Sequence, residues 1–224
     1  MQYVYDYSWI LQYAPELLRG LGVTLALTAG GVSIGLILGL CLAFIRSRKP
    51  NKFHMLIVAY VELIRNTPYM IQLFFVFFGL PQAGIKIDAM TAALLGTALN
   101  VTAYSSEIFR AGIQSIPRGQ IEAAQSLALS PVQTFRYVIL APALQKMWPA
   151  LSSQVVIIML GTSVVSQIAV EDLTFVASFI QSRNFRSFET YIFLLLVYLV
   201  VAFLMRWGLT LLGQKIFSRR AGRV

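Results

Sequence analysis

Apolar residues gather along this chain into continuous runs of roughly twenty, separated by short polar segments. A helix needs about 20 apolar residues to cross the roughly 30 Å of hydrocarbon in a bilayer. Five such spans are expected, near 20–45, 56–80, 89–112, 147–168 and 189–212. The runs are unbroken, whereas a barrel strand would alternate between lipid-facing and lumen-facing residues. The pattern therefore predicts an all-α integral membrane protein with about five transmembrane helices. Between the third and fourth spans lies a different stretch, GQIEAAQSLALSPVQTFRYVILAPAL, from Gly119 to Leu144. It is half polar and broken by prolines.

Charge orients the chain. Arg46, Arg48, Lys49 and Lys52 occupy the first connection, and Arg110, Arg118, Arg136 and Lys146 belong to the third. Lys215, Arg219, Arg220 and Arg223 end the chain, while the opposite side holds only Arg19, Lys86, Arg183 and Arg186. Cytoplasmic loops are enriched in Lys and Arg, so the N-terminus is expected outside and the C-terminus inside. The Gly119–Leu144 stretch is then cytoplasmic, within a loop spanning 113–146.

Residues 1–19, with Tyr3, Tyr5, Tyr7, Trp9 and Tyr13, are expected as an outer interfacial segment. They have no basic n-region leading to an apolar core, so they do not read as a cleaved signal peptide. Gly31, Gly35 and Gly39 form one flat face on the first span, suited to close approach of another helix.

Composition narrows the function. Only 12% of the 224 residues are charged and 58% are hydrophobic, against about 25% charged in a soluble domain. The net charge of +9 follows from basic cytoplasmic loops, and no nucleic-acid partner is expected. One histidine, His54, and one cysteine, Cys41, give neither a disulfide nor a catalytic or metal set. No phosphate-binding glycine loop of the G-x-x-x-x-G-K-[ST] type occurs. No enzyme activity, cofactor or metal is expected.

The cytoplasmic stretch has local signals of its own. Ile121, Ala124 and Ala128 recur at helical spacing. Ser130-Pro131-Val132-Gln133 then reads as a helix start, with serine at the N-cap, proline at the first position and glutamine closing a capping box. Two short helices joined by a bend are expected at the membrane face. Such a pair could dock in a groove of a cytoplasmic partner or rest on lipid.

Glu122-Ala123-Ala124, followed by Ala128 and then Val138-Ile139-Leu140, resembles the EAA loop of ATP-binding cassette importer permeases. Ala128 stands where that family has glycine, and the proline is displaced by one residue to Pro142. YVELIRNTPYMIQLFFVFFGLP (60–81), NVTAYSSEIFRAGIQSIPRGQ (100–120) and GTSVVSQIAVEDL (161–173) are similar to the polar amino acid uptake branch of the family. The likeness covers nearly the whole chain, 1–224, as one transmembrane permease domain.

It implies cytoplasmic ATPase subunits, a second permease subunit (identical or related), and an extracytoplasmic amino-acid-binding protein, in a bacterial inner membrane. It further implies that Glu122, Ala123, Ala124 and Ala128 contact the ATPase, with Arg118 and Arg136 steering it. The alternative is a self-contained secondary transporter or channel, although no internal repeat is evident.

For the substrate path, Thr97, Asn100, Tyr104 and Glu107 share one face of the third span. Asn100 and Tyr104 are its substrate candidates. Glu107 could equally pair with Arg110 one turn on. Thr67 and Pro68 mark a break in the second span that frees backbone carbonyls. Relatives that carry cationic amino acids tend to place an acid where this chain has Gln154 and Gly161. Gln154 and Ser163 are instead neutral hydrogen-bonding groups, so a neutral polar or acidic amino acid is expected.

Overall fold

The computed structural model describes residues 5–46 and 52–221; the side chains of Lys52 and of 218–221 are outside the description. Tyr3, Arg48, Lys49 and Arg223, with the side chains of Lys52, Arg219 and Arg220, therefore lie outside the described residues. Among those described, every regular element is helical. The order is α1 (Trp9–Gln12), α2 (Ala14–Arg46), α3 (Lys52–Arg65), α4 (Tyr69–Gln82), α5 (Ala89–Gln114), α6 (Arg118–Ser126), α7 (Pro131–Ile168), α8 (Leu173–Asn184) and α9 (Ser187–Ala221).

The centre of the bundle is the pairing of α2 with α5. A Cβ added at Gly31, Gly35 or Gly39 would lie 2.4, 2.5 or 2.0 Å from Thr97, Val101 or Ser105. Hydrogen in place of a side chain lets the two backbones approach until Ser105 Oγ donates to the Gly35 carbonyl at 3.0 Å. The flat glycine face is thus filled by a helix of the same chain. It is not open to a second permease subunit.

Enclosure also explains the composition of α5. Its 26 residues would extend about 39 Å at 1.5 Å each, and 13 of them are buried, most of them small or polar. A helix sheathed by other helices need not be apolar, and α5 falls outside the helices that pass for spans on length and composition together. Those are α2, α7 and α9, joined by the bent pair α3–α4.

Three expectations are corrected. The second span is two helices bent by 113° about Asn66–Pro68, because Pro68 is extended at ψ 137° and Thr67 precedes a proline. The fourth helix begins at Pro131 rather than 147 and runs unbroken to Ile168. Thr134–Ile139 is π-wound and Thr162–Ile168 is 3-10. In α4 and α7 alike, a π-wound stretch stands just ahead of a proline, Pro81 or Pro142. The wider winding accommodates a residue with no N–H to give.

The third correction is α8, which the hydrophobic pattern did not disclose. Asp172 caps it by accepting from Phe175 N, and Leu173 N donates to Thr24 Oγ1 on α2. Leu173, Val176, Ala177 and Ile180 pack with Trp9, Leu17 and Leu194. Trp9, expected at the headgroups, is therefore 5% exposed inside that cluster, whereas Tyr5 and Tyr7 remain exposed.

Candidate functional site

The helix break is built from residues that return its freed carbonyls to use. Thr67 Oγ1 donates back to Leu63 O at 2.8 Å, and Asn66 Nδ2 donates to Glu62 O at 2.8 Å. Gln72, one turn into α4, sends Nε2 to Ile64 O at 2.7 Å and Thr67 O at 2.9 Å. Its Oε1 accepts from Asn100 Nδ2 at 2.9 Å. Buried carbonyls without partners cost free energy, so this glutamine stabilises a bend that proline alone would leave open.

Two tyrosines pin the break to α5. Tyr60 OH donates to Leu99 O at 2.6 Å. Tyr69 OH lies 2.8 Å from Thr97 Oγ1, whose own hydrogen goes to Ala93 O.

Thr67, Pro68 and Asn100 therefore meet around one feature. Asn100 is buried with its amide donor committed to Gln72, which makes it a brace of the break. Tyr104 stands one turn further along α5, its ring 5.6 Å beneath the Arg65 guanidinium. Gln154 and Ser163 are not brought into this network. Gln154 is 8% exposed and its amide forms no hydrogen bond among the described residues. Ser163 donates to Leu160 O at 2.8 Å.

Gly112 packs on Met147, and Val101 clusters with Ile158. On that antiparallel register Gln154 is level with Tyr104, and Ser163 stands about two and a half turns higher. Glu107 lies between Arg46 and Arg110, accepting from Arg110 Nη2 at 2.7 Å and bonded also to Arg46. Two guanidiniums claim one carboxylate, so it has no free charge to offer a substrate.

The α6–α7 loop is held by two local motifs. Ser130 Oγ accepts from Gln133 N while Gln133 Oε1 accepts from Ser130 N, the expected capping box. At the end of α6, Ala128 N donates to Gln125 O and Leu129 N to Ala124 O, the paired bonds of a Schellman motif. That motif requires a left-handed residue, and Ala128 has φ 54°. The α7 start is one continuous helix with the following span, rather than a second short helix.

Arg118, Glu122, Ala123, Ala128 and Arg136 are exposed on this loop. Ala124 is not: at 3% exposed, it packs inward and supports the loop from beneath. In its place Leu127, Val132 and Tyr137 stand 76%, 74% and 68% exposed.

Left-handed backbone costs an L-residue about 1–2 kcal/mol where glycine pays nothing. Ala128→Gly should therefore raise the stability of the α6–α7 turn by about 1 kcal/mol. Slower hydrogen exchange at the Ala128 and Leu129 amides would register it, and faster exchange would contradict it.

Residues 31–218 match the family described as binding-protein-dependent transport system inner membrane component. The chain belongs to that family. Among related permeases, the glutamine transport system permease protein GlnP of Escherichia coli K12 is 36% identical over 208 residues, covering 90% of this chain and 95% of its own. The L-cystine transport system permease protein TcyL of Bacillus subtilis is 36% identical over 214 residues, covering 92% and 90%. A crystal structure of an amino acid ABC transporter with histidines superposes with a TM-score of 0.88 at 36% identity, over 95% of this chain and all of that one.

This permease is thus a multi-pass inner-membrane protein and not an enzyme. In ABC importers of its family the ATPase is a separate subunit, and a binding protein completes the system.

Sequence reasoning passed over Gln72, Arg65 and Leu127. A glutamine in the apolar run YMIQLFF and an arginine inside an expected span were the available signals for the first two. Leu127 reads as ordinary helix core until the turn at Ala128 exposes it.

Proposed function

We propose that this permease moves a polar amino acid, neutral or acidic, into the cytoplasm, driven by ATPase subunits seated against the 119–142 loop. Its membrane crossings are α2, the α3–α4 pair, α5, α7 and α9, as one domain with the N-terminus outside. A second permease subunit completes the path, and an extracytoplasmic amino-acid-binding protein delivers the substrate. The named relatives and the matching solved transporter handle amino acids, and that likeness supports the substrate class. The self-contained secondary transporter finds no support, because this family works with a binding protein.

The observation that carries the charge preference is the disposition of carboxylates along the path. Glu107 is neutralised by Arg46 and Arg110, whereas Glu62, bonded to the neutral amide of Asn66, keeps its charge on the exposed side of α3. Along α7, which carries Gln154 and Ser163, no carboxylate occurs, so a guanidinium or ammonium side chain beside them would meet no counter-charge, and a charge unpaired at membrane depth costs about 2.5–3.5 kcal/mol or more. Gln154 keeps an uncommitted amide, which can donate to a carboxylate or carboxamide.

In vesicles holding the assembled complex, excess glutamine or glutamate should suppress labelled substrate uptake far more than arginine or lysine. Strong arginine transport with no response to glutamine or glutamate would reverse the assignment.

A further inference from the structure

Arg65 ends α3 at the break, 12 residues past Phe53, or about 18 Å along the helix. An arginine this far into a membrane-crossing segment is expensive unless it faces water or a partner. It forms no ion pair among the described residues, and its guanidinium is set over the Tyr104 ring. Tyr104 OH in turn points to Arg65 O at 3.5 Å.

Beside it lies an open cavity of about 430 Å³, running between α5 and α7 from Arg65 and Glu107 to Ser115 and Lys146. That volume is within the range of small-molecule sites. The cavity wall is mostly apolar, with Arg65 and Lys146 as its cations and Glu107 as its one acid. Lys146 Nζ donates to Ser115 O, a neutral carbonyl, and keeps its charge. Glu107 is outweighed by Arg46 and Arg110.

We propose that Arg65 and this cavity form an inner site that holds the carboxylate of the amino acid between the helix break and the cytoplasm. The proposal rests on the amino acid import reading and extends it by naming the group that meets the substrate's negative charge. A guanidinium presents paired donors to a carboxylate, and the aromatic face beneath it fixes the plane of that fork without consuming its N–H groups. Every free amino acid carries one such carboxylate. Departure into the cytoplasm is then an exchange of Arg65 for water.

The test uses the assembled complex in vesicles with its binding protein, comparing wild type, Arg65→Gln and Arg65→Lys for uptake of labelled glutamine and glutamate. Intact complex is verified by yield and monodispersity. Arg65→Gln should lower uptake of both by about tenfold or more, the scale of one lost charge-assisted pair. Arg65→Lys, which keeps the charge, should retain most of it. Uptake by Arg65→Gln within twofold of wild type overturns the proposal. Equal losses in both variants also overturn it, because the packing on Tyr104 and not the charge would then matter. A wild-type complex that imports no amino acid removes the reading beneath the proposal, and the proposal with it.

Discussion

Gly39→Val should prevent the permease from assembling its core. The new Cβ would sit 2.0 Å from Ser105 Oγ, and 3.0 Å from both Thr102 O and Ser106 N. A serine can rotate away, but the two backbone atoms move only if α2 and α5 part along their length. Overpacking costs about 1–3 kcal/mol, and occasionally more, when side chains and backbone must shift. Separation would also break the bond from Ser105 Oγ to Gly35 O. The internal control is Gly22, where an added Cβ meets nothing within 4 Å. Gly22→Ala should be tolerated, or even favourable by about 1 kcal/mol from helix propensity. Yield of folded complex in mild detergent is the measurement. Equal yields for the two variants would show that α2 and α5 are not in such close contact.

Leu127→Asp should abolish transport and the stimulation of ATP hydrolysis by substrate-loaded binding protein, with the permease still folded. Leu127 is 76% exposed on a turn fixed from below by Ala124 and by the Schellman bonds. Little covered surface within the chain is lost when it changes. A partner groove would lose an apolar anchor and receive a buried charge, and central anchors commonly cost about 2 kcal/mol or more. Ala124→Arg should be as damaging for another reason. Its side chain points into the chain, so the loop itself would be displaced, and hydrogen exchange across 118–133 would rise. If Leu127→Asp transports normally, the exposed apolar face of this loop is not where the ATPase sits.

Local chemistry made parts of the site legible. Ser130, Pro131 and Gln133 act over a single turn, and the capping box formed as read. Gly31, Gly35 and Gly39 announced close packing, but spacing alone says nothing about which helix arrives. Pro68 signalled a break, while its 113° angle depends on Gln72 and Asn100, which are 28 residues apart. The substitution of Ala128 for glycine looked like a departure from a motif. The structure shows that the left-handed turn persists and that alanine bears the strain. Ala124 illustrates the opposite limit. Helical spacing grouped it with Ile121 and Ala128, yet only the fold of α6 onto α7 determines which side of the loop faces inward. α8 escaped notice because its buried stripe is short and its docking site is α2, some 150 residues earlier.

We propose the α6–α7 loop as the surface on which the ATPase works. Single cysteines at 123, 127 and 132, in a Cys41→Ser background, carry that question directly. In the assembled complex, a short thiol-to-amine cross-linker should join each of them to the ATPase subunit. Cysteines placed at 7 and 185, exposed at the opposite end of the bundle, should give no such product. Cross-links to the ATPase from 185 with none from 127 would contradict both the orientation and the coupling surface.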